Sequence, residues 1–190
     1  MSAIGMTEEI DISSIKKLGI LGGFSLSLFI IPIFGALMFF VGMVFVLLAF
    51  YKFSVIFDKP KLFSKFLQPF IPSILLGFGV LIFEIMFGLG FVFANLYHTG
   101  FNEGTFFLLV TIMIFVGVYL VGIFIAYNYK RVFEELSNIT GHRLFATSGK
   151  IMFIGSTLVI IFIGIFIVYL SYIMLFISFL TLPDKILLKA

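Results

Sequence analysis

The chain has 190 residues, of which 62% are hydrophobic and 11% charged, with a mean hydropathy of +1.29. Soluble globular domains carry roughly a quarter charged residues, so this composition excludes a water-soluble domain and points to a chain that lives in lipid. With no cysteine and a formal net charge of only +3, disulfides, thiolate metal sites and cysteine nucleophiles are excluded, and nucleic-acid binding is a poor reading of so few charges.

Residues 1 to 17 place Glu8, Glu9 and Asp11 before Lys16 and Lys17. That order lacks the cationic start and small-residue cleavage site of a secretory signal peptide. The first apolar stretch, Leu18 to Phe57, is too long for one membrane span of roughly 20 residues. Pro32 lies inside it, where a helix interior would lose a hydrogen bond and clash, so the stretch is predicted to form a hairpin turning near Ile31 to Gly35. Gly19, Gly23 and Ser27 recur at spacing four on its first helix, and Gly35, Gly42 and Ala49 at spacing seven on its second. Such stripes let helices approach closely in lipid, where no hydrophobic force drives them together.

The next connection alternates Lys59, Lys61 and Lys65 with Phe57, Leu62, Phe63 and Phe66, an interfacial pattern that attracts anionic lipid at about 1 kcal/mol per charge. Ile71 to Tyr97 reads as one span. Ser73, Gly77, Glu84, Gly88 and Asn95 project within about 60° of one another on it at 100° per residue. Glu84 is the only formal charge predicted deep in the membrane, where an ionised carboxylate costs several kcal/mol unless paired. Two readings stand: a protonated Glu84 donates a hydrogen bond and fixes helix register, or it carries a proton or holds a cation, with Thr111, Tyr119, Tyr172 or Asn95 as partners and Ser73 on the same face.

His98, Asn102 and Glu103 follow in the outer loop, but one histidine and one carboxylate fall short of the three or four ligands a metal site needs. No metal site is expected. Phe106 to Tyr129 reads as one span with Thr111, Gly122, Ala126 and Tyr129 on one stripe. Lys130 and Arg131 open a connection whose Val132, Phe133, Leu136 and Ile139 or Thr140 fall at helical spacing, which makes a short interfacial helix or a plain continuation of the span. Ile151 to Leu182 has no proline; a second hairpin is expected at Gly164, with halves of about 24 Å at 1.5 Å per residue.

Charge arbitrates between topologies, because short cytoplasmic loops hold an excess of Lys and Arg. Six spans put all twelve basic residues on one side, whereas a single first span would separate Lys16 and Lys17 from Lys59 and Lys61. The expected fold is therefore an all-α integral membrane protein, one domain over 1–190. It is a compact bundle of six transmembrane helices whose first and last pairs are short hairpins, with both termini cytoplasmic in the cell membrane. The spans fall near 14–31, 34–54, 71–96, 105–129, 147–163 and 165–182, with interfacial amphipathic segments at 57–68 and 131–142.

From Phe133 onward, Glu134-Glu135-Leu136, Thr140-Gly141, Leu144-Phe145, Thr147-Ser148-Gly149, Ile154-Gly155, Ile163-Gly164 and Phe179 resemble the closing signature of the domain of unknown function 996 family, small and mostly archaeal multi-pass membrane proteins. Lys17-Leu18-Gly19 is similar to its usual opening. Ser148 stands where the family more often has alanine, and Lys150 where an apolar residue is usual. The resemblance implies fold and location without chemistry.

No Gly-rich phosphate cradle, serine elbow or histidine pair at i and i+4 occurs, and no histidine falls inside a span. No catalytic residue and no cofactor are expected, so the chain is read as a non-enzyme. The first functional expectation is an accessory or structural subunit that contacts lipids and packs against other integral proteins or itself. The alternative is a small oligomeric channel or a proton- or cation-coupled carrier using Glu84.

Overall fold

The computed structural model describes residues 8–31, 34–97 and 101–188. Six α-helices follow in order: α1 (Ser13–Ser27), α2 (Phe34–Ile56), α3 (Pro60–Tyr97), α4 (Phe101–Thr140), α5 (Arg143–Leu158) and α6 (Ile163–Leu180). Single 3-10 turns extend α1 over Leu28–Ile30 and α5 over Val159–Ile161. Five of the helices, α2 to α6, are long and apolar enough to cross a membrane. The α1 helix of 15 residues is shorter.

Each helix packs against its neighbours in the chain, and α1 packs in addition against α6. The six helices thereby form a closed ring. Two short strands add a clasp below the helices: β1 (Glu8–Asp11) pairs antiparallel with β2 (Lys185–Leu188), aligning Glu8 with Leu188 and Asp11 with Lys185. The Ile12 amide donates to the Asp184 carbonyl at 2.8 Å, and Lys16 and Lys185 reach Asp184 and Glu9 at 3.0 and 3.1 Å. Asp11 accepts a 2.8 Å bond from the Ser13 amide, satisfying a donor at the start of α1. That bond and the Ser13 hydroxyl hold the exposed Asp11 carboxyl below its ordinary pKa.

Residues 8–11 and 185–188, the first and last described, thus meet at one end of the ring. The described basic residues, from Lys16 to Lys185, lie at that same end or within about three helical turns of it.

Glycine decides how near the helices come. A Cβ at Gly23 would lie 2.7 Å from the Phe176 Cα, and one at Gly19 would overlap the Phe179 ring, so both glycines seat α1 on α6. Gly22 and Gly42 face each other across α1 and α2, each with the other's carbonyl within 3.1 Å of an added Cβ. Gly149 meets the Lys130 Cα at 2.9 Å, and Gly155 meets the Val168 amide at 2.6 Å. Ser148 adds a buried 2.9 Å bond to the Ser171 carbonyl between α5 and α6, the kind of interhelical contact that lipid favours.

The segment 57–68, read as an interfacial connection, is largely helical: α3 starts at Pro60, a position where its missing N–H is harmless, and continues through Pro69 and Pro72. Of the two readings of the connection after Lys130 and Arg131, the helix continues: α4 runs on to Thr140 before Gly141, at φ +70°, ends it. The last reversal turns at Phe162, φ +61°, rather than at Gly164. Gly164 instead presses against Gly155, Leu158 and Val159 in the first turn of α6, so its lack of a side chain serves close approach. The first reversal falls between Ile30 and Phe34, with Pro32 outside the described residues.

Gly23→Ala and Gly155→Ala are expected to lower the unfolding free energy in detergent by about 1–3 kcal/mol, the usual range for overpacking. Gly79→Ala and Gly117→Ala, where an added Cβ meets nothing within 4 Å, should leave it unchanged or raise it by a few tenths of a kcal/mol through helix propensity. Thermal melting of the four variants side by side checks the contrast.

Candidate functional site

The closed ring surrounds a cavity of about 500 Å³ lined from all six helices. Most of its wall is apolar: Leu26 from α1, Met43 and Val46 from α2, Leu76 from α3, Ile125 from α4, Met152 from α5 and Leu175 from α6. Among the described residues no charged side chain lines it. Toward the end that carries the termini, the floor is aromatic. Phe66 and Phe133 line the cavity, and beneath them Phe50 stacks on Phe66 at 4.1 Å and lies 6.0 Å from Phe133. Elsewhere on the wall, Tyr172 meets Phe29 edge-on at 5.5 Å and Phe39 at 6.5 Å.

Four hydroxyl-bearing residues interrupt the apolar lining: Ser73, Tyr129, Ser156 and Tyr172. Ser73 donates to the Phe70 carbonyl at 2.7 Å, which leaves its oxygen to accept from the Tyr129 hydroxyl at 3.2 Å. This pair ties α3 to α4. Ser156 and Tyr172 make no hydrogen bond to other described side chains or backbone.

The residues singled out in the sequence distribute as follows. Ser73 lines the cavity, as do Gly77, Gly122 and Ala126. Gly77 and Gly122 are not close-contact glycines: an added Cβ would meet only the Phe40 ring edge at 4.0 Å in one case and nothing within 4 Å in the other. Gly35 lies against Phe29, Ala49 is fully buried, and the Ser27 hydroxyl donates to the Phe24 carbonyl at 2.7 Å. Glu84, Gly88 and Asn95 belong to α3, with side chains outside the described residues. His98 lies outside them as well, as do the side chains of Asn102 and Glu103. Among the described residues, no three His, Asp or Glu side chains gather as a metal site would require.

Sequence reasoning missed Gly22, Gly149 and Gly155 as contact glycines. Gly22 stands beside Gly23, and a search for one stripe per helix overlooks a helix that has close neighbours on two sides.

The basic residues at the terminal end are partly paired. Lys65 binds Glu135 at 2.8 Å, and Lys130 approaches Glu134 at 4.0 Å while sitting 5.5 Å from the Phe153 ring centre. Arg131 lies over Tyr127 at 6.0 Å. Lys59 and Lys61 are exposed and make no ion pair among the described residues. Between α4 and α5, the His142 Nε2 lies 2.9 Å from the Thr181 hydroxyl. Thr181 gives its own proton to the Ile177 carbonyl, so His142 is the donor, which selects the Nε2–H tautomer. Partial burial lowers the His142 pKa below its ordinary 6.5.

A model of the family described as protein of unknown function (DUF996) matches residues 38–173. That range takes in every cavity-lining residue except Leu26, Phe29 and Leu175. The chain is 30% identical over 155 residues to an uncharacterized protein of the archaeon Methanocaldococcus jannaschii, across 80% of this chain and 83% of that protein. No solved structure matches.

Because His142 binds a proton less readily when folded, its contribution to stability is present above pH 6.5 and is lost as the pH falls below that value and through the lower folded pKa. Melting temperature should therefore fall between pH 7.5 and 5 in the native chain and fall less in His142→Gln. An equal slope in both would place the acid sensitivity elsewhere.

Proposed function

This chain belongs to the DUF996 family, and on that footing we propose that it is a non-catalytic multi-pass protein of the cell membrane, with both termini cytoplasmic, that serves as an accessory or structural subunit beside other integral proteins. The observation that carries this reading is the outer half of α4. From Leu108 to Val116 every residue but Thr111 is exposed, and Met113 is 74% exposed. An α-helix that is apolar on all faces and bare on nearly all of them needs lipid or a partner around it. The ring offers this segment little cover, in contrast to the lower half of α4, where Ile125, Ala126, Tyr129, Val132, Phe133 and Leu136 are buried.

The cytoplasmic placement of the termini is supported by the collection of basic residues at the clasped end. Lys59 and Lys61, unpaired there, are positioned for anionic headgroups.

A second reading draws on α3. Glu84 stands seven residues, or about two turns, beyond Gly77 on the stripe that lines the cavity at Ser73 and Gly77. A carboxyl on that stripe of the sequence is suited to carrying a proton within a membrane.

Mild-detergent purification followed by mass spectrometry should recover other integral membrane proteins with the native chain in fixed proportion, and Met113→Trp should reduce that recovery severalfold without lowering the melting temperature. A lone monomer at every detergent concentration would overturn the subunit reading. For the second, proton flux in liposomes should fall at least tenfold in Glu84→Gln; unchanged flux would sink it.

A further inference from the structure

The ring cavity is large enough for a ligand, and two of its hydroxyls have no partner among the described residues. Pockets for small molecules span roughly 300–1,000 Å³ and combine apolar walls with a few placed polar groups; at about 500 Å³ this cavity falls within that range. Ser73 and Tyr129 satisfy one another, but the hydroxyls of Ser156 and Tyr172 have no hydrogen-bond partner among the described residues. Among the described residues, no side-chain oxygen or nitrogen is sealed off without a partner, so both hydroxyl oxygens reach open space. Both residues line the cavity. A hydroxyl left without a partner in apolar surroundings is unfavourable by roughly 1–3 kcal/mol, and a ligand oxygen that accepts from it removes that penalty.

The chemistry of the occupant follows from the wall. Among the described residues no charged side chain lines the cavity, and against those walls an ionised ligand would lack a counter-charge in low dielectric. They favour a neutral occupant. The Phe29, Phe39, Phe66, Phe133 and Tyr172 rings favour a flat ring or an apolar chain over a sugar or polar headgroup. The two donors favour a carbonyl-type oxygen.

We infer that the six-helix ring is a binding chamber for one neutral, lipid-soluble molecule bearing a carbonyl-type oxygen, held by the hydroxyls of Tyr172 and Ser156 against the aromatic wall. The chamber requires no second protein, so it stands or falls independently of the subunit reading.

The probe is a decyl-substituted benzoquinone titrated into the purified full-length chain in detergent. Quenching of tyrosine fluorescence reports binding, since the chain has seven tyrosines and no tryptophan. Saturation at one molecule per chain is expected, with n-dodecane a poor competitor. Gly122→Leu extends a side chain from a cavity-lining position where an added Cβ meets nothing within 4 Å, so it should fold, melt no lower than the native chain, and bind at least tenfold more weakly. Tyr172→Phe should weaken binding about three- to tenfold, the loss of one hydrogen bond. Native-like binding by a folded Gly122→Leu, or quenching that merely tracks partition into micelles, would overturn the chamber. Equal binding by Tyr172→Phe, or equal competition by n-dodecane, would overturn the assignment to an oxygen-bearing ligand.

Discussion

The backbone-level contact of α1 with α6 is the constraint on which the architecture depends. Without it the chain is a row of antiparallel neighbours; with it the row closes. Gly19 and Gly23 let the α1 backbone come against the Phe179 ring and the Phe176 Cα, and no larger residue fits at those points. Dispersion and interhelical hydrogen bonds, rather than hydrophobic force, hold helices together in lipid, and both weaken steeply with separation. The β1–β2 pairing and the Ile12–Asp184 bond secure the same junction from outside the helices, where water competes for hydrogen bonds.

Closure has a geometric consequence. Six helices in a ring leave more axial space than their side chains fill, unless large residues point inward. The terminal half does fill, with Phe50, Phe53, Phe66, Phe133, Phe145 and Phe179 all but completely buried. Farther along the axis the inward positions become Gly77, Gly122 and Ser73, and the space remains open. One short stretch of small residues on α3 and α4 thus converts a packed core into a chamber.

Much of this was legible before any contact was known. Hydropathy separated the helices, and the prolines and glycines marked reversals to within a few residues: the first at Ile30 to Phe34, the last at Phe162 rather than Gly164. The continuity of α3 through Pro69 and Pro72 was not legible, because proline reads as a stop unless neighbouring groups compensate for the lost bond. The roles of individual glycines were legible only in part. Spacing identified Gly19 and Gly23, yet the same logic placed Gly77 and Gly122 at contacts when they border open space. A small residue on a stripe admits either a neighbouring backbone or a void, and its spacing is the same in both cases.

What the sequence alone determined is what a one-dimensional pattern can hold: six helices, alternating direction, with the basic residues gathered at one end. Transfer of side chains into lipid is nearly additive along the chain, so a local sum of hydropathy and charge is enough to decide it. Tertiary structure decided the rest. The seating of α1 on α6, the pairing of Glu8–Asp11 with Lys185–Leu188, and the chamber walled by all six helices each join residues distant in the chain. Such contacts depend on helix crossing and on which small residues coincide in space, and no local periodicity encodes that coincidence.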